Sequence, residues 1–563
     1  MEITVADDLV KFLEGLRVGA AFGVSGGFIV PVWQALSQSE KIRLYHCRHE
    51  SGGVFAASEY SLCQNQPTVA FATAGPGITN ALTGIKAARI DGSQLIFISS
   101  ITAEAKTGRW CLQETTRQDV ETLLQNDGQG YFDSVLVIST MSDYLAAKKE
   151  IAAKLREPSG CSIGVFITTT LQKALLEDGG CNIAGGTPPE GISEKALSQV
   201  HKLADDMMTQ KTLFWVGFGA RHAAENLTRI AVKTQSSVIS TPRGKGIFPE
   251  KHPLYAGATG LGSNGENIAA QLDPRRHPVV VILGSRLSEL SSSRAQDQLS
   301  DSIIYYIGLN SRDVASNLPP QTIVIECEID RFLASLSQTL RLKEPTPQQL
   351  LPVFTPSPEL FTANSEDAER KENALHPRIV MQVLQEIVID KYDGYLAADA
   401  GNSFVWTNRF LKFSRPVRYR TSTGFGAMGH YACGLIGIAA STTHCAVGVI
   451  GDGAMLMGNE VSTAVQYKLP AIWLVMNDGC YNMCRQGLDM LGNAPLDCDI
   501  PATDFALLGK SLGATGYRVS DKAALEEALI QAISARQTAV IDVIVDRYAV
   551  PPLDDRINTL QKL

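Results

Sequence analysis

Two acidic turns carry the clearest chemistry in this chain. An apolar run from Ala446 ends in Gly451-Asp452-Gly453, and a second run from Ala471 ends in Asn477-Asp478-Gly479. A helical stretch, Glu460 to Tyr467, separates them. Strand, helix and strand in that order form one right-handed unit, so both turns emerge at the same sheet edge. Two carboxylates can converge there with a free backbone carbonyl. Hard oxygen ligands of this kind suit Mg2+, which keeps further positions for phosphate and water. Gly451 and Gly453 let a phosphate approach the backbone, and amides at the next helix start, Ala454 among them, can donate to it. The pattern predicts a magnesium-dependent anchor for a diphosphate-bearing organic cofactor.

Further segments offer chemistry by position. Tyr45 to Gly53 closes a strand and opens a helix, with Glu50 at the junction. Gly23-Val24-Ser25-Gly26-Gly27 and Ala74-Gly75-Pro76-Gly77-Ile78-Thr79-Asn80 are glycine-rich turns after strands, and Thr79 and Asn80 are expected to begin a helix. Leu112-Gln113-Glu114 is a polar segment, and Asn402 and Ser403 follow another strand. In Thr423-Gly424-Phe425-Gly426-Ala427-Met428-Gly429 the methionine is flanked by glycine, a poor setting for a core residue. Taken singly, most of these read as structural turns or solvated caps. His430 reads as a structural histidine or as a proton donor.

The elements that must position these residues form an α/β pattern. Strands are expected at 20–24, 42–46, 68–73, 94–99 and 164–168; at 212–217, 236–239, 279–284, 303–308 and 322–327; and at 395–398, 446–450, 471–476 and 539–545, with helices between. Gly- and Pro-rich stretches near 181–192 and 344–375 read as linkers. This predicts three doubly wound parallel-sheet domains: 1–180, 190–345 and 375–550. Such sheets bind ligands at the carboxyl ends of their strands.

Bulk properties exclude several classes. Fifty basic residues against 58 acidic ones leave a net charge of −8, without the concentrated positive face of a nucleic-acid binder. The N-terminal residues follow helical spacing and lack the pattern of a signal peptide, and no apolar run reaches membrane-spanning length. The 11 cysteines contain no Cys-x-x-Cys pair, so zinc is not expected and free thiols in a reducing cytoplasm are.

Taken in order, the motifs resemble those of the thiamine diphosphate enzymes, in the acetohydroxyacid (acetolactate) synthase-like branch. That family's pattern is Gly-Asp-Gly, a helix with Glu, Thr and Ala, then Leu-Pro, a strand and two Asn residues. It is met here by Gly451-Asp452-Gly453, Glu460, Thr463-Ala464, Leu469-Pro470 and Asn477-Asp478. Asp478 replaces the second Asn, and one residue is missing before Glu460. The resemblance implies Asp452, Asp478 and the backbone carbonyl of Cys480 as Mg2+ ligands. It implies Glu50 as the carboxyl that shares a proton with the cofactor's aminopyrimidine, so that the ring nitrogen deprotonates the thiazolium carbon. Gly26 and Gly27 would face substrate, Gln113 would lie near the reacting centre, and Gly75 and Asn80 would line the pyrimidine. Gly426 would accept from the pyrimidine amine, Met428 would wedge the cofactor into a bent shape, and Asn402 and Ser403 would contact the diphosphate.

The implied activity is decarboxylation of a 2-oxo acid such as pyruvate, with transfer of the acyl anion equivalent to an aldehyde or 2-oxo acid. The alternatives are a simple decarboxylase or a lyase acting on an activated substrate such as an acyl-CoA. Lys106-Thr107-Gly108-Arg109-Trp110 departs from the branch, and Trp110 could reshape the acceptor pocket. Gly217-Phe218-Gly219, Gly260-Leu261-Gly262 and Gly284-Ser285-Arg286 lie where FAD-carrying relatives contact flavin, and a vestigial domain gives the same pattern. The resemblance also implies a homodimer or homotetramer whose sites lie between subunits.

Overall fold

The computed structural model describes residues 3–553 except 103–107, 109–110, 125–129, 157–159, 177–190, 310, 312–313, 342–373 and 495. The 344–375 linker and Trp110 with its neighbours Lys106, Thr107 and Arg109 therefore lie largely or wholly outside the described residues.

Three six-stranded parallel sheets carry the fold. The first holds β1 (Ala20–Gly23), β2 (Arg43–His46), β3 (Thr68–Phe71), β4 (Leu95–Ile101), β5 (Ser134–Ile138) and β6 (Ser162–Thr168). The middle sheet holds β7 (Thr212–Val216), β8 (Ser237–Ser240), β9 (Tyr255–Ala258), β10 (Val279–Leu283), β11 (Ile303–Gly308) and β12 (Ile323–Glu326). The third holds β13 (Tyr395–Ala398), β14 (Tyr419–Thr421), β15 (Ala446–Gly451), β16 (Ala471–Asn477), β17 (Thr515–Val519) and β18 (Ala539–Ile544). The inner strands are buried on both faces and predominantly apolar, because helices cover both sides of each sheet.

The first and third sheets share one strand order, β2-β1-β3-β4-β6-β5 and β14-β13-β15-β16-β18-β17. The middle sheet is wound differently, as β12-β11-β10-β7-β8-β9. Two topologically equivalent units thus flank a third, a repeat that leaves no detectable trace in the residues.

The outer units share one hydrophobic core, in which Phe22, Phe97 and Val54 join Tyr431, Leu435, Ile450 and Trp473. Two helices form its seam: Glu50–Gln64 from the first unit and His430–Ser441 from the third. Their crossing is lined by small residues because the backbones nearly touch. A Cβ at Gly437 would lie 1.9 Å from the Ala56 carbonyl oxygen, and one at Gly434 would lie 3.4 Å from the Phe55 oxygen. No helix among the described residues is long and apolar enough to cross a membrane.

Candidate active site

The first sheet places one group of the expected residues at its carboxyl edge. Glu50 is the first residue of its helix, where a carboxylate is favoured by the helix dipole. Its Oε2 accepts from Asn80 Nδ2 at 3.2 Å. The helix carrying Asn80 begins at Pro76, earlier than Thr79, because Gly75 adopts φ +64° and proline at the first helical position forfeits no bond. Asn80 is therefore one turn in, where its side chain reaches Glu50. Gly26 lies against Thr73: an added Cβ would stand 2.6 Å from the threonine Cβ. Thr73 Oγ1 donates to Gln113 Oε1 at 3.2 Å, and Gln113 itself is left-handed at φ +52°. Gly75 packs on Gln113, and its N–H donates to Thr115 Oγ1 at 2.8 Å. Gly27 faces open space. Glu50, Asn80, Gly26, Gly27, Gly75 and Gln113 thus form one half-site.

The backbone just before Glu50 is held from the third unit. The amides of Arg48 and His49 donate to Glu460 Oε1 at 2.9 and 3.1 Å, and Thr463 Oγ1 donates to Oε2. Glu460 is fully buried. Burial pushes its carboxyl up, and Thr463 and the two amides only partly offset this. The Glu and Thr of the motif helix therefore brace the Glu50 segment.

The third sheet gathers the other group. Asp452 Oδ1 accepts from the Gly453 amide at 2.7 Å, and Oδ2 accepts from the Gly479 and Cys480 amides at 2.7 and 3.2 Å. β15 and β16 are direct neighbours, which brings the two acidic turns together. Burial raises the Asp452 carboxyl. Asp478 is pushed up to about 7, by burial first and then by the charge of Asp452. Asn482 Nδ2 orients its Oδ2 at 2.8 Å. Asp452 is buried and Asp478 half-buried, and the charge of Asp452 raises Asp478; a divalent cation would reverse this, so the residues fit Mg2+. The Cys480 carbonyl accepts from the Asn482 amide at 2.7 Å and retains a second lone pair.

Ser403 lies beside this turn, with Oγ 4.0 Å from where a Gly451 Cβ would stand. Asn402 Nδ2 donates to Gln486 at 3.1 Å, while its buried Oδ1 has no partner. That oxygen is an acceptor and calls for a donor group. Met428 is 37% exposed, and Gly426 is left-handed at φ +66°. Sequence reasoning missed what fixes their loop. The fully buried Asp399 accepts from the amides of Gly429, Tyr431 and Ala432 at 3.0, 2.8 and 3.0 Å. The signal for it was an Asp at a strand end, two residues before Gly401.

His430 is buried at 1% exposure. Its Nε2 lies 3.1 Å from Glu59, which ion-pairs Arg420 at 2.7 Å in full burial. Glu59, Asp91 and His430 lie close enough to share a cation. Arg420 and Arg243 already neutralise the two carboxylates, so this is an ion-pair network. Phe218 sits among the guanidiniums of Arg221, Arg243 and Arg420 at 4.6, 4.6 and 4.8 Å.

The flavin-suggesting glycines are filled by neighbouring backbone. Cβ atoms at Gly217 and Gly219 would stand 2.6 Å from the Gly284 oxygen and 2.9 Å from the Gly284 Cα. Those at Gly260 and Gly262 would stand 2.4 and 2.8 Å from the oxygens of Leu290 and Val405. Close approach of backbone to backbone explains these glycines without a flavin.

Among the described contacts no hydrogen bond joins Glu50 to Asp452, Asp478, Gly426 or Met428.

Comparison with known proteins gives this arrangement a family. Three profiles match in order: the thiamine pyrophosphate enzyme N-terminal TPP binding domain over 3–122, its central domain over 207–336 and its C-terminal TPP binding domain over 399–543. The chain is 25% identical to acetolactate synthase 1, chloroplastic, of Nicotiana tabacum, across 96% of this chain and 81% of that protein. It is 24% identical to acetolactate synthase of Mycobacterium avium across 95% and 85%. With the probable acetolactate synthase large subunit of Methanocaldococcus jannaschii the figures are 22%, 97% and 93%. Three matched domains on three parallel sheets, with relatives aligned over nearly the whole length, establish that the chain belongs to the thiamine pyrophosphate enzymes, in their acetolactate synthase-like branch.

Proposed function

We propose that the chain is a thiamine diphosphate- and Mg2+-dependent carboligase. It decarboxylates a 2-oxo acid such as pyruvate and transfers the acyl anion equivalent to an aldehyde or 2-oxo acid acceptor. The observation that carries the reading is the Asp452–Asp478 carboxylate pair at the β15–β16 edge, which would hold a divalent cation beside a diphosphate. The acetolactate synthases aligned along the chain support the carboligase over a simple decarboxylase or an acyl-CoA lyase.

Bound thiamine diphosphate supplies a carbon nucleophile and a ring able to hold the electron pair left when CO2 departs. The chain's residues do the rest. Asp452, Asp478 and the Cys480 carbonyl hold Mg2+, while Gly451, Gly453, Ala454, Asn402 and Ser403 take the diphosphate. Met428, the Gly426 carbonyl, Gly75 and Asn80 set the pyrimidine, and Glu50 holds the proton shared with its ring nitrogen. Gly26 and Gly27 leave room for substrate, with Gln113 beside it. The limits 1–180, 190–345 and 375–550 delimit the pyrimidine-binding, central and diphosphate-binding domains in this reading. It includes no flavin, and it takes the cytoplasm as the compartment because every described cysteine is free.

The site belongs to a homodimer or a larger homo-oligomer, Glu50 of one chain facing Asp452 of another. Apolar exposure beside the site residues supports this: Leu112 at 80% and Tyr481 at 43%. Incubation with cofactor, Mg2+ and a panel of 2-oxo acids and acceptors, with CO2 measured and products identified by mass spectrometry, tests the reading. Ligated hydroxyketones are expected, and silence across the panel would sink it.

A further inference from the structure

We infer that Ser25, held by His46, sets acceptor specificity in this site, selecting an acceptor with a hydroxyl next to its carbonyl. The inference rests on the carboligase reading and names the acceptor class within it.

β1 and β2 are paired with Gly23 opposite His46, so the imidazole stands beneath the turn that leads into Gly26 and Gly27. The Ser25 amide donates to His46 Nε2 at 3.2 Å. A ring nitrogen that accepts an N–H carries no proton of its own. Burial, and then the charge of Arg48, lower the His46 pKa, in keeping with a neutral ring. The second contact, Ser25 Oγ to the same Nε2 at 2.9 Å, shares that one lone pair with the amide, and on an unprotonated nitrogen the hydroxyl is the donor. With its hydrogen committed, Ser25 presents only oxygen lone pairs to whatever enters beside Gly26.

His46 is itself fixed. Its amide donates to the Tyr467 hydroxyl at 2.8 Å, its carbonyl accepts from Arg48 Nη1 at 2.8 Å, and Trp33 lies 5.8 Å away ring to ring. On the other side of Gly26, Thr73 donates to Gln113 Oε1, which leaves the Gln113 NH2 as a donor. The turn is therefore flanked by one hydrogen-bond acceptor and one donor. A 2-hydroxy carbonyl compound carries the complementary pair. An aliphatic acceptor of the same shape strips water from the Ser25 oxygen and returns nothing, the discrimination at which polar sites excel.

Glycolaldehyde and propanal differ by hydroxyl against methyl at constant shape. With a decarboxylated 2-oxo acid as donor, wild-type kcat/KM should favour glycolaldehyde by about 10-fold or more. Ser25→Ala should bring the ratio near unity, chiefly through KM for glycolaldehyde. His46→Gln, whose Oε1 can accept both Ser25 donors, should keep the ratio, and His46→Leu should lose it. Equal wild-type efficiencies, or a preference that survives Ser25→Ala, would overturn the inference. Retention of the ratio in His46→Leu would remove His46 from its positioning role. Failure of wild type to release CO2 from any 2-oxo acid strikes instead at the carboligase reading.

Discussion

Glu59 illustrates how single residues here are set by partners distant in sequence. Burial alone would raise its carboxyl, but Arg420 and His430 draw it further the other way, to well below the ordinary range. A depressed carboxylate pKa contributes stability above the unfolded-state value, and that contribution is lost as pH falls through the folded value. Glu59→Gln leaves Arg420 buried without its counter-charge and should cost about 3–5 kcal/mol. In urea melts the gap from wild type should hold constant at neutral pH and close in strong acid. Glu50→Gln should bind cofactor normally yet slow proton exchange at its reactive carbon, read by NMR loss of that proton. Unchanged exchange would remove Glu50 from its role. Glu50, Asp452 and Asp478 were legible because an acidic residue at a strand-end turn is a specialised choice. Asp399, Glu460 as a brace, and Ser25 with His46 were not, since each acts through amides or partners that only the fold brings near.

Among elements, legibility followed burial. Strands in the sheet interiors are mostly apolar, and all of them were expected from the residues. Those without an expectation are β5, β9, β14 and β17, each at a sheet edge. β14 is three residues long and carries the buried, ion-paired Arg420, and β17, Thr-Gly-Tyr-Arg-Val, is a partly exposed edge, so neither reads as an apolar run. The helix seam makes a sharper prediction. Gly437→Ala drives a Cβ into the Ala56 carbonyl, a backbone atom that cannot rotate away. Overpacking there should cost roughly 1–3 kcal/mol and lower the thermal midpoint. The same change at Gly27, which faces open space, should leave the midpoint where it is.

At the scale of the molecule, the succession of three α/β units was readable from linkers and strand spacing, whereas the shared winding of the outer two was not. Similar topologies are compatible with unrelated residues, because burial constrains polarity more than identity. If sites are built between chains, mixing inactive Glu50→Gln with inactive Asp452→Ala must restore activity, since one site in each mixed dimer is intact. Sites formed within single chains would stay silent in that mixture. Purified protein should show no flavin absorbance near the visible flavin band, given how fully backbone fills the glycine turns of the middle unit.

The cysteines offer a way to watch the site assemble. Among the described residues only Cys111 and Cys484 are exposed. Cys111 stands two positions before Gln113, and Cys484 lies on the helix that carries Asn482. Each half-site thus carries one natural alkylation handle, and the remaining described thiols are shielded to differing degrees. Rates of maleimide labelling, followed peptide by peptide, become a clock for two separate events: burial of Cys111 as chains associate, and protection of Cys484 as the anchor fills.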